Sequence, residues 1–490
     1  MIATPFRYDS RARPSTAIGL VVLLLLLLAP LIGTLAVLGP WVFVLPVGAL
    51  AAAAAIAKPQ YVVALGIFVF AGIYEGLALS LRVTIDDYPL SILDAIALTM
   101  LLAAAAAAVR AKQARLFRLA IPMMIASITA LMIGLSHGNS VYLGAKDLSV
   151  VSYSIIFFVA AGSVASQHEH RKLLIGAFVA GSVVTATSQI ASSIGAFTFH
   201  ISLGALTGLG QKSVEISLAD LSLTHAFRDN FLRPSRVLFG LAIGIAAMGA
   251  KPSPKWALPT ITICFAAAVM SLQRSVWGGL LIILVLTWLK PGLLAGRTRT
   301  MTASALVAVT AIGWMVLPSA GAVLAARISE SWDIGGDPGI TARVSETRSA
   351  LSQLGGTDFV SGVGLGAYAN WYDPENRLTV EESVLHNQYI GVLLKYGVAG
   401  FVGLAFIYGP AVRRLASQHW EEAALAASLV AFLIIGIVGG AFGERIIGPL
   451  MAAAAGFAIA EKHTEKPTAP AKQSPLLRDR KQIRNRTGAR

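Results

Sequence analysis

The sequence predicts an all-α, polytopic transmembrane protein, and three observations carry that prediction. Of 490 residues, 56% are hydrophobic and only 13% charged, with a mean hydropathy of +0.71; soluble domains carry about a quarter charged residues. The apolar residues come in runs about as long as a bilayer is thick, with cations recurring between them. The apolar bulk is also aliphatic: aromatics make up 8%, and alanine runs such as Ala51 to Ala55 and Ala103 to Ala108 are frequent. That composition suits helices better than the alternating strands of an outer-membrane barrel.

The formal charge of +14 does not point to nucleic acid, because the cations are scattered between apolar segments and form no patch in a polar domain. The single cysteine, Cys264, lies within an apolar run and excludes an intramolecular disulfide.

Taken in order, Arg7, Arg11 and Arg13 precede the leucine run Leu20 to Leu28 as in a secretory signal, yet no small-residue cleavage site followed by a polar region appears. The run therefore reads as the first transmembrane helix. Further apolar segments, each roughly 17 to 25 residues at full length, follow the first at 16–37: 40–57, 60–80, 91–109, 119–136, 148–165, 173–195, 236–250, 256–272, 275–289, 301–325, 386–411, 421–439 and 443–460. Alternate connections hold Lys58; Arg110, Lys112, Arg115 and Arg118; Arg171 and Lys172; Lys251 and Lys255; Lys290, Arg297 and Arg299; and Arg413 with Arg414. The positive-inside rule makes these connections and both termini cytoplasmic. The transmembrane region is expected to span 1–460, and 461–490 reads as a basic, disordered cytoplasmic tail.

The other connections face outward. They include Ser80 to Pro89 with Asp86 and Asp87, the polar stretch Thr198 to Arg233, and a large loop over 328–385 that is too long to be a plain connector.

His386 stands where that loop meets an apolar helix. At about 100° per residue, His386, Ile390, Leu393, Gly397 and Gly400 fall within about 40° of one line, placing an imidazole above a glycine groove. A near-neutral ring suits acceptance of a proton from a sugar hydroxyl, although an interfacial histidine is more often a polar helix start. Arg274, Arg343 and Arg348 lie on the same outward side, where the positive-inside rule does not explain them. Each alone reads equally as a solvated charge; together they suit a diphosphate, which guanidinium groups hold bidentately. Gly362, Gly364 and Gly366 would let backbone amides approach a phosphate or sugar, or simply form a turn. Asp86 and Asp87 offer oxygen ligands to a divalent cation, or are merely solvated. Lys395 falls about 13 Å into the membrane on a continuous helix and points away from the histidine face, so it needs a cavity or a partner.

These residues resemble the O-antigen ligase and polysaccharide polymerase superfamily of bacterial inner membranes. His386-Asn387, nine intervening residues, then Gly397-Val-Ala-Gly400 matches its histidine signature. Arg343 followed by Gly362-Val-Gly364-Leu-Gly366 is similar to its large-loop pattern, Arg274 to its membrane-border arginine, and Phe231-Leu-Arg-Pro234-Ser235 to a stretch of its polymerase-like members. The chain departs from it at Lys395-Tyr396, where an acidic or apolar pair is more familiar.

The resemblance implies a C-type glycosyltransferase-like fold of about 12 to 14 helices, with its active site on the outer face of the cytoplasmic membrane. It implies an undecaprenyl-diphosphate-linked glycan as donor, a glycan or lipid acceptor, and no cofactor, metal or nucleic acid. His386 would activate the acceptor hydroxyl, and Arg274 and Arg343 would contact the diphosphate. By position in the loop and the histidine stretch, Arg348, Gly362, Gly364, Gly366, Asn387, Gly397 and Gly400 are further candidates for binding the substrate. Other polysaccharide assembly proteins are possible partners. Two other readings stay open: a metal-dependent lipid-phosphate glycosyltransferase using Asp86 and Asp87, and a transporter or flippase using Lys395.

Overall fold

A computed structural model describes residues 41–72, 82–85, 88–111, 113–199, 234–250, 252–271, 273–289, 303, 338–373, 378–439 and 441–461. The expected spans at 16–37 and 301–325, the pair Asp86-Asp87, and Phe231 to Arg233 of the polymerase-like stretch lie outside them, apart from residue 303.

Helices dominate. α1 (Trp41–Ala57) and α2 (Pro59–Gly72) meet at Lys58, where the chain bends by 115°. Pro59 explains the break, because its ring disfavours helical geometry at the residue before it while fitting the first turn of the next helix. The two segments expected as independent spans are thus one bent pair. A short antiparallel hairpin, β1 (Arg82–Ile85) with β2 (Tyr88–Ser91), leads into α3 (Ile92–Ala111). α4 (Ala114–Ser136), α5 (Val141–Ala165) and α6 (His168–Phe199) follow, then α7 (Val237–Met248), α8 (Ala257–Met270) and α9 (Arg274–Leu289). Further along the chain come α12 (Gln388–Val412), α13 (Trp420–Ile435) and α14 (Ile447–Ile459).

Among the described residues five helices are long and apolar enough to cross a membrane, or six if the bent pair is one span. The sequence reading expected more spans; two of these, 16–37 and 301–325, fall outside the described residues, and several of the others are shorter than expected. α7 and α14 have 12 and 13 residues, roughly 18 to 20 Å of helix against a hydrocarbon layer of about 30 Å. Both are enclosed by other helices, with Val237 to Ala247 and Ile447 to Ile459 buried throughout. Their hydrophobicity serves a protein interior. α14 lies so close to α5 that a Cβ at Gly456 would come within 2.0 Å of the Phe158 carbonyl oxygen, and Gly162 faces it. Small residues let the two backbones touch.

The described residues from 338 to 385 build a small folded unit at one end of the bundle. α10 (Pro338–Ser352), the single turn α11 (Asp358–Ser361), and the hairpin β3 (Ala369–Asp373) with β4 (Leu378–Glu382) share a core of Ala350, Leu354, Ala367, Ala369, Trp371 and Leu385 that rests on Leu394 of α12. Ser349 Oγ donates to the Asn370 carbonyl (2.7 Å) and Gln353 Nε2 to the Tyr368 carbonyl (2.9 Å), fastening α10 to β3.

At the opposite end the cations gather. Arg110 donates to the Ile56 carbonyl (2.6 Å), Arg115 pairs with Glu461 (2.7 Å), and Arg171 pairs with Glu422 (2.9 Å). Arg110, Arg115, Arg171 and Arg414, from three of the connections that the sequence groups as basic, therefore share one end, and the histidine and its folded unit occupy the other.

Candidate active site

The site is built where the small unit meets α12. Asn387 caps α12: its side-chain oxygen accepts from the amides of Tyr389 (3.1 Å) and Ile390 (3.2 Å), two of the donors a helix start leaves unsatisfied. His386 thus stands just before the helix and is not part of it. Gly397 interrupts α12 with φ 60° and ψ −154°. The continuous face expected from His386 through Gly397 to Gly400 does not exist, because its first member precedes the cap and the wheel is broken midway. Gly400 lies buried beyond that break.

Glu346, which the sequence reading passed over, holds His386 in place. Its Oε1 accepts the His386 backbone N–H at 3.0 Å, and its two oxygens lie 3.4 and 3.2 Å from the ring Nδ1. The carboxylate side chain is 1% exposed and the imidazole 42%. One carboxylate therefore fixes both the main chain and the ring of a histidine that keeps 42% of its side-chain surface exposed. A signal for it was present: Ala342, Glu346 and Ala350 recur every four residues as the inward stripe of α10, and Leu354 just past its end continues the spacing. An acid on such a stripe is bound to meet a partner.

The arginines separate. Arg343 precedes Glu346 by three residues and so lies on nearly the same side of α10, half-buried, whereas Arg348 falls about 200° from Glu346 and is exposed. Arg274 opens α9, half-buried. The neighbouring Ser275 lies against Gly439, just past α13, and the carbonyl of Gly436 in the same stretch accepts the Gln388 amide at 2.8 Å. Arg274 is therefore at the His386 end of the bundle. Glu346 and His386 come together, Arg343 lies about 60° from Glu346 around α10, Arg274 stands at the same end of the bundle, and Arg348 lies on the other side of α10.

The three glycines of the large loop are packing devices. Gly362, Gly364 and Gly366 all have positive φ (75°, 97° and 83°), and a Cβ at Gly364 would lie 2.1 Å from the backbone nitrogen of Gly134 in α4. The amides of Gly362, Val363, Leu365 and Gly366 donate to Asp358 O, Leu394 O, Ala130 O and Asp147 Oδ2, at 2.7, 2.7, 2.9 and 3.0 Å. These donors already have partners in the protein. The loop locks α4, α5 and α12 together behind the histidine and gives a phosphate no row of open amides.

Lys395 finds its partner on α5. Its Nζ donates to Asp147 Oδ1 (2.7 Å) and to the Ser383 carbonyl (2.5 Å), three residues before His386, and both side chains of the pair are under 10% exposed. Beneath the His386 segment a pocket lies between α4, α5 and α12, lined by Met123, Val150, Ile155, Val392, Leu404 and Ile407, with Lys395 and Asp147 in its wall. The imidazole, 42% exposed, thus stands next to a largely apolar pocket whose wall includes Ser383, Val384, Leu385 and Gln388 from its own segment, and an imidazole in such a place has the chemistry to accept a proton from a hydroxyl.

Residues 259–405 match the family model described as O-antigen ligase. No curated protein matches the chain. The matched segment contains Arg274, Arg343, Glu346, His386, Gly397 and Gly400, and over that segment the chain is similar to O-antigen ligases.

Proposed function

We propose that this membrane protein transfers a glycan from undecaprenyl diphosphate to a hydroxyl acceptor at the outer face of the bacterial cytoplasmic membrane. The acceptor oxygen attacks the anomeric carbon, the bond from that carbon to the diphosphate oxygen breaks, and its electron pair leaves with the diphosphate. His386 takes the acceptor proton, and Arg274 and Arg343 balance the charge that grows on the leaving group. A single displacement inverts the anomeric carbon. The chain's own residues supply base and counter-charge in this scheme, so it is metal-independent.

The observation that carries the reading is His386 itself: inside the family-matched segment, the ring is held by a carboxylate on one side and remains 42% exposed. Both termini and the basic end would then be cytoplasmic, by the positive-inside rule. A second lipid-linked repeat as acceptor makes the protein a polymerase; a terminal lipid acceptor makes it a ligase.

The test is His386→Ala in cells that lack the native copy, following the length and attachment of surface polysaccharide while membrane insertion is checked by fractionation. Removing a general base lowers transfer by roughly 10²- to 10⁴-fold. Wild-type polymer from a properly inserted variant would sink the proposal. Transfer that survives His386→Ala but stops on chelation of divalent cations would point instead to chemistry at Asp86 and Asp87.

A further inference from the structure

We propose that Glu346 is a positioning residue for this transfer: it holds the His386 ring with its proton on Nδ1, presents Nε2 to the acceptor hydroxyl, and stabilises the imidazolium formed when that proton is taken. The inference rests on His386 being the base. Three features of the site support it.

The first is the double contact. Oε1 accepts the His386 main-chain N–H at 3.0 Å, and the ring Nδ1 lies 3.4 and 3.2 Å from Oε1 and Oε2. A carboxylate that merely pinned the chain would need only the first of these; the second acts on the reactive ring. The second feature is asymmetry. Glu346 is 1% exposed, so water competes little for its oxygens, while the ring it holds is 42% exposed. The third is rigidity. Glu346 shares the inward face of α10 with Ala350, and Leu385, immediately before His386, packs into the same small core as Ala350, Ala369 and Trp371. Acid and histidine are therefore set by one cluster of side chains.

The protonation logic is short. An ionised Glu346 can only accept, so Nδ1 must donate and Nε2 carries the lone pair. The opposite tautomer would set the Nδ1 lone pair against carboxylate oxygens and would need a protonated Glu346. Among the described residues, Lys395 does not change this choice, because it is paired with Asp147 and reaches the segment through the Ser383 carbonyl.

The experiment uses the full chain in proteoliposomes, with the undecaprenyl-diphosphate glycan that accumulates in cells lacking the gene as donor. Glu346→Gln should lower kcat on the order of 10²-fold or more with the donor KM little changed, as when the acid behind a catalytic histidine loses its charge. Glu346→Asp, which keeps the charge, should recover part of that loss. If His386→Ala is inactive while Glu346→Gln keeps its wild-type kcat, only the role of Glu346 fails; if His386→Ala is active, the base assignment fails with it. Solid-state spectra of ¹⁵N-ring-labelled wild-type protein at a pH where the ring is neutral, assigned by the signal lost in His386→Ala, test the proposal without relying on the folding of any Glu346 variant. The Nδ1–H tautomer is expected, and the Nε2–H tautomer would overturn the proposal.

Discussion

The two ends of the bundle both bury an acid, and they bury it differently. At the basic end Arg171 and Glu422 are each 3% exposed and 2.9 Å apart; Ser417 donates to the same carboxylate (2.8 Å) and the guanidinium lies 4.4 Å from the centre of the Phe457 ring. At the other end Glu346 is as deeply buried, but its histidine is 42% exposed. A pair closed on both sides has spent its charge on holding helices together. A pair closed on one side lends the protein's rigidity to a group that can still meet a substrate. Lys395 and Asp147 belong to the closed kind, although they sit beneath the open pair, with side chains 9% and 7% exposed.

Breaking that closed pair should have the largest effect on stability. Lys395→Met leaves Asp147 with the Gly366 amide but no cation, and removing one partner of a buried pair costs about 3–5 kcal/mol. A marked fall in the thermal unfolding midpoint of the detergent-solubilised protein is expected, with much of it regained when Asp147→Leu is added. If Lys395 were instead a transport charge, the single variant would keep its stability and change only substrate movement.

A smaller effect is expected at the glycine loop. Gly364→Ala forces a side chain into positive φ and against the backbone of Gly134, which costs roughly 1–3 kcal/mol through conformational strain alone. Gly356, also at positive φ but with nothing within 4 Å of an added Cβ, is the control. Equal losses of thermal stability for the two alanine variants would show that close packing against α4 contributes nothing.

How much of this could be read from the sequence depended on distance along the chain. The spans expected at 91–109, 119–136, 148–165 and 173–195 coincide with α3 to α6, because aliphatic runs bounded by polar residues define a helix locally. His386, Arg274 and Arg343 were legible as candidates from residue type and from the side of the membrane they imply. The start of α12 was not, since Asn387 reads as either helix or cap until its side-chain bonds are seen. Nor was the break at Gly397, because a helical wheel assumes an unbroken helix. Glu346 stayed hidden among the polar residues of the large loop, forty positions from its histidine, and the partner of Lys395 is 248 positions away. Pairings at that separation are set by tertiary packing, and periodicity carries no record of them.

The mildest variant separates the two meanings of Asn387. Its side-chain oxygen caps α12, and the residue also follows His386 directly. Asn387→Ala should cost about 1 kcal/mol, the usual loss for an N-cap, while Asn387→Ser should retain most of it. If capping is the whole role, the serine variant keeps its unfolding midpoint and its transfer rate together, because α12 still starts where it did and the open pair still rests on it. A serine variant of native stability that transfers at least tenfold more slowly would instead place the Asn387 amide against the substrate. In that case the open side of the Glu346–His386 pair would extend by one residue onto the helix cap.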